Sequence, residues 1–103
     1  MKRLYVAGPM TGKPLLNFPA FNAEADRLRA LGYDVVNPAE INPDHSVPWA
    51  TCMRDDIAQL VRCDGIVLLP GYESSRGACL ELTIARALGL NVTYAGQIQR
   101  RAA

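Results

Sequence analysis

With 103 residues, half of them apolar, and eleven lysines and arginines against ten aspartates and glutamates, the chain has material for one core and no marked charge excess. A second domain is excluded, and so is the basic stripe with which a protein tracks polymeric nucleic acid, the basic residues being scattered apart from Arg100 and Arg101 at the tail and Lys2-Arg3 at the start. No apolar run reaches the roughly 18 to 20 residues that span a bilayer, and MKRLYVAGPM lacks a signal-peptide core and cleavage site, so a cytoplasmic protein without a membrane partner is expected.

The first element is RLYVAG, a short apolar run ended by Gly8-Pro9, and the same pattern returns as YDVVNP and DGIVLLPG. Each reads as a buried strand cut off by a turn. Between them lie helical patterns. Phe18, Phe21, Ala25 and Leu28 follow one face behind Pro19. Trp49, Met53, Ile57, Leu60 and Val61 follow another, and Leu80, Ile84, Ala87 and Leu88 a third, ended by Gly89. NVTYA makes a last strand. AEINPDHSVP reads as a loop containing a lone histidine, His45, and QIQRRAA as a frayed tail, which leaves one domain over residues 1–96 and a tail over 97–103. Strands that are apolar throughout and alternate with helices predict an α/β fold: a small doubly wound parallel sheet of four to five strands with helices on both faces. Ligands of such sheets bind beyond the carboxyl ends of the strands. Any site is therefore built from AGPMTGK, NPAE and PGYESSRG.

Helix geometry singles out two carboxylates. At about 100° per residue, Asp56 falls roughly 85° from the centre of the apolar stripe of its helix, at the border of core and solvent, whereas Asp55 falls opposite the stripe and reads as solvated. Glu81 falls roughly 80° from the centre of the Leu80, Ile84, Ala87 and Leu88 stripe, also a border position. Gly77, four residues earlier on the same face, leaves room above it for a ligand, and the nearby helix start favours an ionised carboxylate. The same residues have plainer readings: Glu81 as ordinary first-turn charge, Ser74 and Ser75 as N-caps or as an anion contact, Tyr5 as packing or chemistry, and Trp49 as a core anchor.

Other chemistry lacks its residues. Cys52, Cys63 and Cys79 are odd in number and without CxxC spacing, which fits reduced structural thiols better than disulfides or zinc. GPMTGKP is one residue short of a P-loop and has proline where the metal-binding hydroxyl belongs. Neither GxGxxG after the first strand, HExxH nor GxSxG is present.

Together LYVAGPMTG, MRDDIAQLVRCDGIVLLPG and SSRGACLELTIARALG resemble the nucleoside 2-deoxyribosyltransferase-like superfamily, which includes the 2'-deoxynucleoside 5'-monophosphate N-glycosidases. The likeness runs over about residues 3 to 95 and is nearest a short, largely uncharacterised bacterial and phage branch. It implies a Rossmann-like fold and N-glycosidic chemistry on a nucleoside or its monophosphate. By that resemblance Glu81 of the GxxxE motif, with Gly77, is the nucleophile, Tyr5 holds it, and Asp56, eight residues before the strand-opening Asp64, assists the leaving base. The position six before the glutamate is aspartate in transferases acting on free nucleosides and serine in the monophosphate hydrolases; here it is Ser75, which favours a phosphorylated ligand. Gly8, Ser74, Ser75, Arg76, Gly77 and Asp64 are expected around that ligand. The implied reaction is a retaining glycosyl transfer through a glycosyl-enzyme, with two carboxyls roughly 5 Å apart and neither metal nor cofactor. EINPDHSVPW has no counterpart in the resemblance, and a homodimer or higher homo-oligomer is implied. The competing expectation is a non-catalytic nucleotide-binding module, a sensor or sequestering protein, on the same rim.

Overall fold

A computed structural model describes residues 2–43 and 46–102 of the chain. His45 lies outside the described residues. Four strands, β1 (Arg3–Ala7), β2 (Asp34–Val36), β3 (Gly65–Leu68) and β4 (Asn91–Tyr94), form one all-parallel sheet in the order β2-β1-β3-β4. The connections carry α1 (Phe18–Ala30), the single turn α2 (Pro38–Ile41), α3 (Trp49–Leu60) and α4 (Arg76–Ala87). This is the expected doubly wound α/β sheet with four strands.

Alternate side chains of the two central strands enter two cores. Leu4, Val6, Val67 and Leu69 pack with Phe21, Ala25 and Leu28 of α1 on one face. Tyr5, Ala7, Ile66 and Leu68 pack with Leu60 of α3 and with Ala78, Leu82 and Ala85 of α4 on the other. Burial on both sides is why these strands are apolar throughout rather than alternating.

Several sequence expectations need correction. Within AEINPDHSVP a one-turn helix forms, because Pro38 suits a first helical position and the Asn37 side chain accepts the Ala39 N–H at 3.1 Å. Residues 98–102 do not fray. Ile98 packs against the α1 core, its carbonyl accepts from Arg27 at 2.6 Å, and Ala102 N–H donates to the Leu31 carbonyl at 2.9 Å. The stripes on α3 and α4 are also rotated from the expected ones. Met53, Asp56 and Leu60 are buried on α3, and Ala78, Glu81, Leu82 and Ala85 on α4, while Leu80, Leu88 and Val61 stay exposed.

β1 feeds a crossover toward β2, and β3 feeds one toward β4 on the other side. The chain therefore diverges where the carboxyl ends of β1 and β3 lie side by side, and the crevice of a doubly wound sheet opens there. Gly8 is needed at this point: a Cβ on it would come within 2.7 Å of the Leu69 Cβ. Beyond it, Leu15, Leu16 and Asn17 follow one another with φ of 53°, 54° and 60°, a left-handed turn that disfavours leucine.

Candidate active site

A cavity of about 630 Å³ opens at that crevice, a size typical of small-molecule sites. Gly8, Met10 and Thr11 line it from the loop after β1, Pro38 from α2, and Ser74, Ser75, Arg76 and Gly77 from the start of α4. All three segments expected at the rim contribute. Asp56 and Glu81 line the same cavity.

Glu81 is carried inward by the rotated face of α4 and is 5% exposed; Asp56, on the buried face of α3, is 9% exposed. Tyr5 points from β1 into the same core, is fully buried, and donates its hydroxyl to Glu81 Oε2. Asp56 Oδ1 is buried and has no hydrogen-bond partner among the described residues. An orphaned carboxylate oxygen in a cavity wall is uncommon, because its desolvation goes uncompensated until something binds. Asp55 is exposed and accepts a hydrogen bond from Asn42 Nδ2 at 3.3 Å.

The electrostatics follow from burial. Desolvation, reinforced by the neighbouring Asp55, pushes the Asp56 carboxyl up to about 7. Desolvation pushes Glu81 up to about 8; the Tyr5 hydrogen bond pulls it down and the charge of Asp56 pushes it further up. The helix start does not keep Glu81 ionised as the sequence suggested, since burial outweighs it. Tyr5 is held well above its ordinary value by burial and by both carboxylates, so it stays a hydrogen-bond donor.

The start of α4 is built by its own sequence. Ser75 Oγ accepts the Ala78 N–H at 3.1 Å as an N-cap, which leaves its O–H to donate, and Ser74 Oγ donates to the Gly71 carbonyl at 2.9 Å. Gly77 lines the cavity, but the space beside it is already taken: a Cβ there would meet Met53 Sδ at 3.1 Å. Its first effect is to let α3 and α4 approach.

Two expectations fail. Asp64 sits at the amino end of β3, across the sheet from the cavity, where its carboxylate accepts the Arg3 N–H at 2.8 Å; it is a strand-start anchor, not a ligand contact. Trp49 is no core anchor. It is 39% exposed, lines the cavity, and lies under the Arg76 guanidinium, 3.9 Å from the ring centroid. Sequence reasoning also missed Leu16, Phe18, Phe21, Val47, Cys52 and Met53 in the wall.

No group of three or more histidine, cysteine, aspartate or glutamate side chains that could hold a metal ion occurs among the described residues. Nor is any helix among them long and apolar enough to cross a membrane.

Fold and cavity define a doubly wound α/β domain with a crevice at the carboxyl ends of its two central strands. A 2-deoxyribosyltransferase from the psychrotolerant bacterium Bacillus psychrosaccharolyticus superposes with a TM-score of 0.70 at 20% identity, over 95% of this chain and 77% of that one. A 2-deoxyribosyltransferase from Leishmania mexicana gives 0.71 at 21% identity, over 91% of this chain and 63% of that one. The Clostridium botulinum CMP N-glycosidase BcmB gives 0.57 at 18%, over 90% and 70%. The chain itself belongs to the family described as Domain of unknown function (DUF4406), matched over residues 2–94. A search of curated proteins returns no match.

Proposed function

We propose that this protein cleaves or transfers the N-glycosidic bond of a nucleoside or nucleoside 5'-monophosphate, with Glu81 as nucleophile. The observation that carries the reading is the buried Tyr5–Glu81 pair facing the same cavity as the unpartnered Asp56 oxygen. Structural neighbours that include two deoxyribosyltransferases and an N-glycosidase support the class of chemistry.

The chemistry asks the two carboxyls to differ. One must be a charged nucleophile while the other holds a proton for the departing base. Burial raises Glu81 to about 8 even with the Tyr5 hydrogen bond pulling it down, against about 7 for Asp56, which puts the shared proton on Glu81 in the free protein. Hydrogen bonding works against that order: the Tyr5 hydroxyl is accepted better by a carboxylate than by a carboxylic acid, and Asp56 Oδ1, without a hydrogen-bond partner among the described residues, is free to hold a proton. The order reverses in the complex, because a bound sugar developing positive charge beside Glu81 stabilises its carboxylate and leaves the proton to Asp56.

Glu81 then attacks C1' of the sugar as the bond to the base breaks, and its carboxylate electron pair becomes the ester bond of a glycosyl-enzyme. The Asp56 proton goes to the leaving base. Water, deprotonated by Asp56, or a second base then attacks C1' and releases Glu81 as carboxylate. Tyr5 keeps Glu81 oriented throughout. Leu80 and Leu88 on α4 and Val61 after α3 are exposed apolar side chains that an association with a second copy, the assembly the sequence resemblance implies, could cover.

The test is release of free base from a panel of nucleoside 5'-monophosphates and the matching nucleosides, resolved by chromatography, with Glu81→Ala as the control. Base release that disappears in the variant is the expected result. Tight nucleotide binding without release from the unaltered protein would instead mark a binding module.

A further inference from the structure

The charges in the cavity wall are unevenly placed. Among the described residues lining it only three are charged: Asp56 and Glu81 are buried, and Arg76, the sole cation, is exposed at the start of α4. Arg76 makes no ion pair among the described residues, yet it is not loose, because its guanidinium lies 3.9 Å from the centroid of the Trp49 ring. The two residues belong to different helices. Gly77 lies beside them, where a Cβ would crowd Met53 Sδ at 3.1 Å and reach ordinary contact with Trp49 Nε1 at 3.7 Å.

We propose that Trp49 is a positioning residue for phosphate recognition, its indole face holding the Arg76 guanidinium at the cavity mouth to receive the phosphate of a nucleoside 5'-monophosphate. This rests on the reading of the cavity as a nucleoside or nucleotide site. A long arginine without a partner would lose more freedom on binding, whereas one already stacked on an aromatic face keeps its fork presented. Deep acids and an outer cation also orient the ligand, since a phosphate is repelled from the Asp56 and Glu81 end and attracted to the Arg76 end. The Ser75 hydroxyl lies on the same rim as a further donor.

Calorimetry on Glu81→Gln protein, which removes turnover, compares 2'-deoxynucleoside 5'-monophosphates with the matching nucleosides. Adding Arg76→Gln should cut the preference for the monophosphate roughly tenfold or more. Adding Trp49→Leu should cut it about two- to fivefold, and Trp49→Phe should restore most of it, with nucleoside affinity unchanged. Because Trp49 is the one tryptophan of the chain, its emission in the unaltered protein should change saturably with ribose 5-phosphate and not with ribose. Equal losses for nucleoside and monophosphate, or no monophosphate preference in the parent, would overturn the assignment. Inorganic phosphate competing as well as the nucleotide would reduce it to a simple anion site and also overturn it. A preserved Arg76- and Trp49-dependent preference in a protein that releases no base would sink the enzymatic reading while leaving this one standing.

Discussion

Glu81→Gln should stabilise the free protein, and by an amount that grows with pH. Glutamine is nearly isosteric, can still meet the Tyr5 hydroxyl, and cannot ionise in a position that is only 5% exposed. Burial raises the wild-type carboxyl from an ordinary value near 4.5 to about 8. The folded state therefore holds a proton that the unfolded chain has released across that interval. Stability linked to Glu81 is fully present below about 4.5 and is lost as pH rises through about 8, at no more than roughly 1.4 kcal/mol per pH unit. Between pH 5.5 and 8.5 the gap between variant and wild type should widen by about 3 kcal/mol, or roughly 10 °C or more in Tm for a domain of this size. Thermal unfolding followed by circular dichroism at half-unit pH steps measures it. A difference in Tm that stays flat across the range, or that turns in favour of the wild type at high pH, would refute the claim that Glu81 is ionised at a cost.

If the two carboxyls share one proton in the active form, kcat/KM for base release should be bell-shaped, falling below about pH 7 and above about pH 8; a plateau through pH 9 contradicts the shared proton. Gly8→Ala should destabilise by about 1 to 3 kcal/mol in urea titration, since the new Cβ would lie 2.7 Å from Leu69 Cβ; an unchanged midpoint means the strand ends have slack. Asp64→Ala should cost about 0.5 to 1 kcal/mol of stability by removing the exposed hydrogen bond to the Arg3 N–H, with KM for any turned-over nucleotide unmoved; a rise in KM would return Asp64 to the site.

Much of this architecture is readable from the chain because buried parallel strands leave an unmistakable trace: RLYVAG, YDVVNP and DGIVLLPG are apolar runs closed by Gly or Pro, and each ends at the rim where the cavity opens. The phase of α4 differs from the one its sequence predicts for a physical reason. Counting large side chains puts Leu80, Ile84, Ala87 and Leu88 inward, but a helix lying close on a sheet buries small residues, and Ala78 and Ala85 mark the true face. Glu81 was singled out from a stripe that is not the buried one, and it lies deeper than a border position. Asp56 fared similarly, since Val61 is exposed and the buried line runs through Met53, Asp56 and Leu60. The Trp49–Arg76 stack was out of reach, because nothing in a one-dimensional pattern says that the first residues of two helices 27 positions apart will touch.

The bond between Tyr5 and Glu81 joins residues 76 positions apart in the chain. Neither a fragment carrying the first crossover nor one carrying the last can form it, so the pair comes into being only when β1, β3 and α4 have docked together. Such distant closures are slow to form, because the entropy of ordering the intervening chain is spent before the contact returns anything. The raised Glu81 carboxyl is accordingly a property of the finished fold alone. Its proton uptake during refolding at pH 6 to 7 reports the docking of α4 on the central strands.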